Sequence, residues 1–316
     1  MYEQASVGVV VPAYNEEKLI GQVIETMPAF VDKIIVVDDR SNDATPQIVQ
    51  SYAAQIGDRL ELICHKENLG VGAAIGSGYQ RAVELALDVT AVMAGDGQMA
   101  PDELEDVIVP IVEGEADYTK GNRLFTGEAW QKIPRNRYLG NSFLSLLTKI
   151  ASGYWHLADS QSGFTAISLR ALRILPLEKL YPRYGYPNHL LVMLNIYSFR
   201  VQDVPITPVY GIGEESGIRL RKVIPTLSWL LLKCFFWRLR EKYVIRDFHP
   251  LIFFYTIGGL LLMLGLALGS YLIGYRFTIG RVSGTSALFA TILFLSGLQL
   301  TLFATWFDME YNRHLR

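Results

Sequence analysis

Several short polar clusters in this chain could do chemistry, and each follows an apolar run. Asp38-Asp39 follows Lys33–Val37. Adjacent carboxylates at a strand end repel each other unless a cation or a donor-rich ligand lies beside them; a turn with a helix cap is the alternative reading. Gly95-Asp96-Gly97-Gln98 follows Val89–Met93. Its glycines free the backbone for a tight turn and close ligand approach. Asp96 offers a hard oxygen ligand and Gln98 an amide oxygen. Mg²⁺ or Mn²⁺ held by one or two carboxylates plus substrate phosphates needs little more, though a plain Gly-Asp turn reads the same way. Pro12, Tyr14 and Glu16 close a first run and mean little alone.

The elements that must position these clusters alternate. Val7–Val11, Lys33–Val37, Leu60–Cys64 and Val89–Met93 read as buried strands from their β-branched content, with a fifth starting at Asp117–Lys120. Helices are expected up to Pro28, from Ser41 or Asn42 as cap towards Tyr52, over Gly70–Ala86, and from Pro101 at the first helical position. Alternation of this kind predicts an α/β fold, a mostly parallel sheet with helices on both faces. Ligands of such sheets sit outside the carboxyl ends of the strands. Every polar cluster named above lies at such an end, and that convergence outweighs any one of them. The glycine-rich run Gly70–Gly76 follows the third strand and lacks dinucleotide spacing, so close packing of a helix on the sheet is the expected role.

The last third is different. Leu251–Ile273 and Ser286–Phe307 hold no charged residue except that the flanks are charged, and each can cross a hydrocarbon core of roughly 30 Å; a buried helical hairpin is the alternative. Before them, Arg219, Arg221 and Lys222, an apolar block with Trp229, Phe235, Phe236 and Trp237, and then Arg238, Arg240, Lys242 and Arg246 suit a helix lying in a membrane interface. The basic bias before the first span, against only Arg276 and Arg281 between the spans, orients both ends of the hairpin and the soluble domain to the cytosol. The expected division is residues 1–215, an interfacial segment 216–248, and a hairpin with a short tail over 249–316. A lipid bilayer is therefore an expected partner. Net charge −2 over 316 residues argues against nucleic acid. Two distant cysteines, Cys64 and Cys234, give neither a disulfide framework nor a thiolate metal site and suit a reducing compartment. No signal peptide is read at the start of the chain. A homo-oligomer is left open.

Val-Pro-Ala-Tyr-Asn-Glu-Glu, Val-Val-Asp-Asp-Arg-Ser-Asn-Asp-Ala-Thr, Asn68-Leu69-Gly70 and Gly-Asp-Gly-Gln, in this order and spacing, resemble glycosyltransferase family 2. Lys120-Gly121-Asn122-Arg123 and Asp159-Ser160-Gln161-Ser162-Gly163-Phe164 look like its dolichol-phosphate mannose and polyprenyl-phosphate glucose synthase branch. The resemblance implies a GT-A fold, a nucleotide-sugar donor (GDP-mannose or UDP-glucose), a divalent cation, Mg²⁺ or Mn²⁺, a polyprenyl phosphate acceptor and inversion at the anomeric carbon. By position it assigns Pro12, Tyr14, Glu16, Val37, Asp39 and Gly95 to the nucleotide-sugar pocket. Asp96 and Gln98 meet the metal and diphosphate, and Arg123 binds phosphate. Asp159 orients acceptor or sugar, or shapes a turn. Arg137 and Asn141, four apart on a predicted helix, match acceptor-phosphate positions. Two departures stand out. Ala94 occupies the place of the first acid of Asp-x-Asp, and the late basic loop appears as Gly211–Arg219 with its cations displaced to Arg219, Arg221 or Lys222. A processive polysaccharide synthase is the competing enzyme, without its Gln-x-x-Arg-Trp motif here; an inactive membrane scaffold is the competing class.

Overall fold

The computed structural model describes residues 1–124, 135–207 and 220–316. The chain divides into two units, residues 1–235 with 315–316, and residues 236–314.

The first unit is built on seven strands, β1 Val7–Ala13, β2 Lys33–Asp38, β3 Leu60–Cys64, β4 Val89–Val92, β5 Tyr118–Asn122, β6 Thr165–Ser168 and β7 Val201–Pro205. Their order across the sheet is β3-β2-β1-β4-β6-β5-β7. β6 alone of these runs antiparallel to its neighbours β4 and β5; the other pairs are parallel. The expected mostly parallel sheet is present, with two strands that the sequence reading did not anticipate. β6 is short and half threonine and serine at its ends, and β7 holds Gln202, Asp203 and Pro205, so neither looks like a buried apolar run. The reversal matters for function. Thr165, the first residue of β6, lies beside Val92 of β4 and Lys120 of β5. The segment Asp159–Phe164 therefore enters the sheet at the carboxyl ends of β4 and β5.

The helices of this unit are α1 Ile20–Glu25, α2 Thr45–Ile56, α3 Val71–Glu84, α4 Leu104–Val112, α5 Arg135–Ser152, α6 Leu169–Ile174, α7 Tyr186–Ile196 and the greater part of α8 Leu220–Arg240. Period-two alternation splits the strands between two layers. Val7, Val9 and Val11 of β1, Ile34 and Val36 of β2 and Ala91 of β4 pack with Ile20 of α1, Val49 of α2 and Leu104 and Val107 of α4. Each such aliphatic, fully buried, is worth about 1.5–3 kcal/mol of transfer free energy. The opposite face receives α3. Gly78 stands over Val10, where a Cβ would come within 2.3 Å of Val10 Cγ1. The close packing expected of the glycine-rich helix is found there, but at Gly78 rather than within Gly70–Gly76. Gly72 instead lies against the Tyr181 carbonyl, 2.1 Å from an added Cβ.

One helix start departs from expectation. Ser41 and Asn42 do not cap α2, which begins at Thr45 after Ala44. Asp43 does that work, its Oδ1 accepting from Thr45 N (3.0 Å) and Thr45 Oγ1 (2.6 Å). Ser41 Oγ accepts from Asn15 N, and Asn42 N donates to Asn15 Oδ1, tying the loop after β1 to the loop after β2.

The second unit holds the end of α8, a π-helical turn Glu241–Arg246, and two 28-residue helices, α9 Leu251–Thr278 and α10 Gly284–Tyr311. At 1.5 Å per residue each is about 42 Å long, enough to cross a bilayer core, with mean hydropathies of 2.3 and 1.9. They run several residues past the apolar stretches read from sequence. They pack through small residues at heptad spacing, Gly258 and Gly265 against Ala290, Gly297 and Ala304. A Cβ on Gly297 would meet Leu262 N at 2.3 Å and one on Gly265 would meet Phe294 N at 2.5 Å, so backbone approaches backbone.

Candidate active site

β1 and β4 are neighbours although β2 and β3 lie on the far side of β1. Strand order reverses between them, and a crevice opens at their carboxyl ends. Pro12 and Ala13 of β1 sit in register with Val37 and Asp38 of β2. Gly95 N donates to Pro12 O (3.2 Å), bringing the turn after β4 against the same edge. An added Cβ on Gly95 would lie 3.3 Å from Ile20 Cδ1 and 3.4 Å from Pro12 O, a tight approach. Tyr14, 45% exposed, projects from the loop above. Asn15 takes a left-handed φ of 57° that turns the chain towards Glu16. Glu16 N donates to Thr45 Oγ1 (2.8 Å). The structure thus brings Pro12, Tyr14, Glu16, Val37 and Gly95 to one strand-end region.

The two acids after β2 have separate jobs. Asp39 is buried, and both oxygens of its carboxylate have partners inside the protein. Oδ1 accepts from His65 Nδ1 (2.8 Å) and Leu69 N (2.9 Å), and Oδ2 accepts from Gly70 N (2.7 Å). It sits at the amino end of α3, where amide donors and the helix dipole favour an anion. His65 Nε2 in turn pairs with Ser77 Oγ (2.9 Å), so the imidazole bridges Asp39 to α3. Asp38 accepts from Ser41 N (3.2 Å) through Oδ2, while its buried Oδ1 has no partner among the described residues. The open acceptor at this strand end is therefore on Asp38, which the sequence reading did not assign to the pocket. Asp38 is the last residue of β2 and Asp39 the first beyond it, and nothing in the sequence tells which of the two keeps the open oxygen.

Asp96 Oδ1 accepts from Gln98 N (3.1 Å) across Gly97, whose φ is 69°. This small turn fixes the backbone between Asp96 and Gln98. Burial first, then the charges of Asp96 and Asp43, push the Glu16 carboxyl up to about 7. No cluster of three His, Cys, Asp or Glu side chains capable of holding an ion occurs among the described residues. Ala94 accounts for one missing acid; its N donates to Met99 Sδ. One carboxylate and one amide oxygen fit a hard divalent ion that draws its other ligands from phosphates and water, so the residues present are compatible with Mg²⁺ or Mn²⁺.

On the β5 side, Arg123 holds Asp159 with two nitrogens, Nε to Oδ2 (2.7 Å) and Nη2 to Oδ1 (3.2 Å). Burial opposes the Asp159 charge, but the Arg123 guanidinium and then Lys120 hold its carboxyl below the usual range. The Asp159–Gly163 loop meets the Asp96 turn through Met99, whose Cε lies 3.3 Å from the position a Cβ on Gly163 would take. Arg137 and Asn141 belong to α5, but their side chains lie outside the described residues, as do residues 211–219 and the Arg221 and Lys222 side chains. On the described part of α5, Phe143 and Leu146 are exposed while Leu144 is core.

The family model for glycosyl transferase family 2 matches residues 8–175. The UDP-N-acetylglucosamine–dolichyl-phosphate N-acetylglucosaminyltransferase of Methanococcus voltae is 32% identical over 213 residues, 64% of this chain and 84% of that protein. The polyprenol monophosphomannose synthase of Mycolicibacterium smegmatis is 26% identical, covering 68% and 83%. Among solved structures, glucosyl-3-phosphoglycerate synthase from Mycobacterium tuberculosis superposes with a TM-score of 0.56 at 18% identity, over 74% of this chain and 78% of that one, a likeness of fold. With a matched sequence segment spanning more than half its length and the strand-end geometry above, this chain belongs to glycosyltransferase family 2.

Proposed function

We propose that this protein transfers a sugar from a nucleotide diphosphate sugar to a polyprenyl phosphate, with inversion, at a membrane surface. The observation that carries this reading is the pairing, in one chain, of an acid-rich crevice at the β1/β4 switch point with two membrane-length helices. The relatives' names, which specify dolichyl and polyprenol acceptors, support it.

Pro12, Tyr14, Glu16, Val37 and Gly95 line the nucleotide side in this reading, with Asp38 Oδ1 as open acceptor there and Asp39 fixing the start of α3. Asp96 and Gln98 hold the divalent ion, which offsets charge on the leaving diphosphate when bound. The acceptor phosphate is already ionised at neutral pH, so no side chain must deprotonate it. The barrier lies in bringing two anions together, and cationic groups lower it. Arg123, oriented by Asp159, is partly exposed and supplies such a group on the diphosphate side. Arg137 and Asn141 receive the acceptor phosphate, with the exposed Phe143 and Leu146 further along the same helix suited to a prenyl chain. The donor is a hexose or N-acetylhexosamine nucleotide, with UDP-N-acetylglucosamine, UDP-glucose and GDP-mannose as the set to screen.

Incubation of the full-length protein with each donor and a short polyprenyl phosphate, with products read by mass, tests the assignment. One donor is expected to give a glycosyl phosphoprenol. Asp96→Asn is expected to cut turnover by about 10²-fold or more while the protein stays folded, and Arg137→Ala to raise KM for the acceptor more than for the donor. A folded protein that transfers none of these sugars overturns the proposal in favour of an inactive scaffold.

A further inference from the structure

Beneath the Asp159 loop lies a charged cluster that the transfer chemistry does not itself require. Lys120 is fully buried at the end of β5, and its Nζ donates to the main-chain carbonyl of Ser162. Asp203, its register partner on β7, accepts through Oδ2 from Ala158 N (2.6 Å) and Asn122 Nδ2 (3.1 Å). The loop 158–163 is thus held at both ends, at Ala158 by Asp203 and at Ser162 by Lys120. Between those two points Asp159 reaches Arg123. The remaining contacts of the loop are neutral. Ser160 Oγ pairs with Ser145 Oγ of α5 (3.1 Å), and Gln161 Nε2 donates to Asn188 Oδ1 of α7 (3.3 Å).

We propose that Lys120 and Asp203 are positioning residues of the transfer reaction, two oppositely charged groups buried in register on neighbouring strands that each hold one end of the 158–163 loop and, through it, the Arg123–Asp159 pair. This rests on the function proposed above.

Packing alone is a poor explanation. Burying an ammonium is costly, and an apolar side chain of similar length would fill the same space more cheaply. The charge has a specific use, since it draws in a main-chain carbonyl and faces both Asp159 and Asp203. Burial pushes the Lys120 amine down to about 8 and, on the other side, pushes the Asp203 carboxyl up to about 6. The charged neighbours of the pair are Asp159 and Arg123, and Lys149 of α5 beside Asp203. His156 of the preceding segment is turned to the Val201 carbonyl of β7. Between about pH 6 and about 8 the pair is charged on both sides. Above that range Lys120 loses its proton, and the cluster keeps the charges of Asp159, Asp203, Arg123 and Lys149 without the cation that draws in the Ser162 carbonyl. The linkage to stability has the opposite sign. A lysine whose amine is depressed in the fold stabilises the folded state increasingly as pH rises from about 8 towards its unfolded value. An alkaline loss of turnover with no loss of stability is therefore the signature of positioning, and general unfolding would not produce it.

The test uses the full-length protein in detergent, as Lys120→Met, Asp203→Asn and the double variant. Lys120→Met is expected to lower kcat by on the order of tenfold or more, with donor KM changed by less than about threefold, and to lack the alkaline decline of the parent. Amide exchange in the 158–164 peptide is expected to speed up in both single variants, and the double variant to cost less than the two singles combined. Lys120→Met with parental kcat and the same alkaline limb, or a 158–164 peptide that exchanges as in the parent, overturns the proposal. Asp203→Asn, which keeps the shape and the acceptor oxygen, carries the same measurements should Lys120→Met fail to fold. A parent that transfers no sugar overturns the function proposed above, and the exchange arm then decides the loop assignment alone.

Discussion

Asp38 and Asp39 differ by one peptide step, yet one is spent on the fold and the other keeps an oxygen open. Asp39 is satisfied by two amides and an imidazole, so its removal would loosen the start of α3 before it touched any ligand. Asp38 retains one buried acceptor with no partner among the described residues. Such an atom is costly to leave unpaired, so a donor brought by a ligand to this side of the crevice would be favoured there. Glu16 makes a related point about charge. Its carboxyl is pushed up to about 7, first by burial and then by Asp96 and Asp43. A group whose folded value is raised above its unfolded one favours the folded state at low pH, and that contribution is lost as pH rises through about 7. In metal-free protein, Glu16→Gln is therefore expected to melt higher than the parent at pH 8, with the difference closing by about pH 5. Melting curves in chelator across that range measure it, and a variant that melts lower at pH 8 would refute the electrostatic reading.

Among the elements, α3 shows what is legible in a sequence and what is not. Its glycine-rich character was readable, and so was its packing role, but the glycine that makes the approach is Gly78, outside the run that draws the eye. Val10 Cγ1 and Cγ2 lie 2.3 and 2.8 Å from where a Cβ would stand, and Val10 is a β-branched side chain in a buried strand with no room to swing. Gly78→Ala is expected to destabilise the first unit by about 1–3 kcal/mol through overpacking, despite the better helix propensity of alanine. Chemical denaturation against the parent measures it, and a stabilised variant would mean that α3 can move off β1. The first four strands were legible because they are apolar and β-branched. β6 and β7 were not, because Thr165, Gln202 and Asp203 earn their strand positions from tertiary pairing rather than local pattern. The same limit hid Lys120 and Asp203, which look like solvated charges until the register sets them side by side. Arg123 and Asp159 were legible only through the resemblance; nothing in their spacing shows that they meet.

At the scale of the whole chain, the two-helix hairpin was the most readable feature, and charge bias carries a proposal for its orientation. We propose that α9 and α10 span the membrane with Ile279–Ser283 outside and both flanks in the cytosol. In a Cys64→Ser background, an impermeant thiol reagent added from outside is expected to label Gly284→Cys, whose position is open, and with Cys64 restored and Gly284 unchanged to leave the exposed Cys64 unlabelled. The reverse pattern would invert the topology. What sequence could not reveal is how the second unit closes on itself. Arg238 Nη1 and Nη2 each donate to one oxygen of Asp308, both at 2.8 Å, and neither side chain is exposed. Tyr243 donates its hydroxyl to the same carboxylate, Asn312 Nδ2 donates to the Tyr243 hydroxyl (2.8 Å), and Lys242 donates to Asn312 Oδ1 (2.6 Å). Arg238 and Asp308, seventy positions apart, thereby close a loop containing α9 and most of α10. A buried pair of this kind is a weak source of net stability, because two desolvation penalties offset the attraction, but breaking it from one side leaves an uncompensated charge. Arg238→Met is therefore expected to cost about 3–5 kcal/mol. Arg238→Met with Asp308→Leu is expected to recover much of that loss, though not all, since Tyr243 and Asn312 lose an acceptor. Unfolding of the four proteins in a mixed-detergent titration gives the double-mutant cycle directly. A single variant as stable as the parent would mean that water reaches the pair, and a double variant no better than the single would assign the stability to the surrounding hydrogen bonds rather than to the charges.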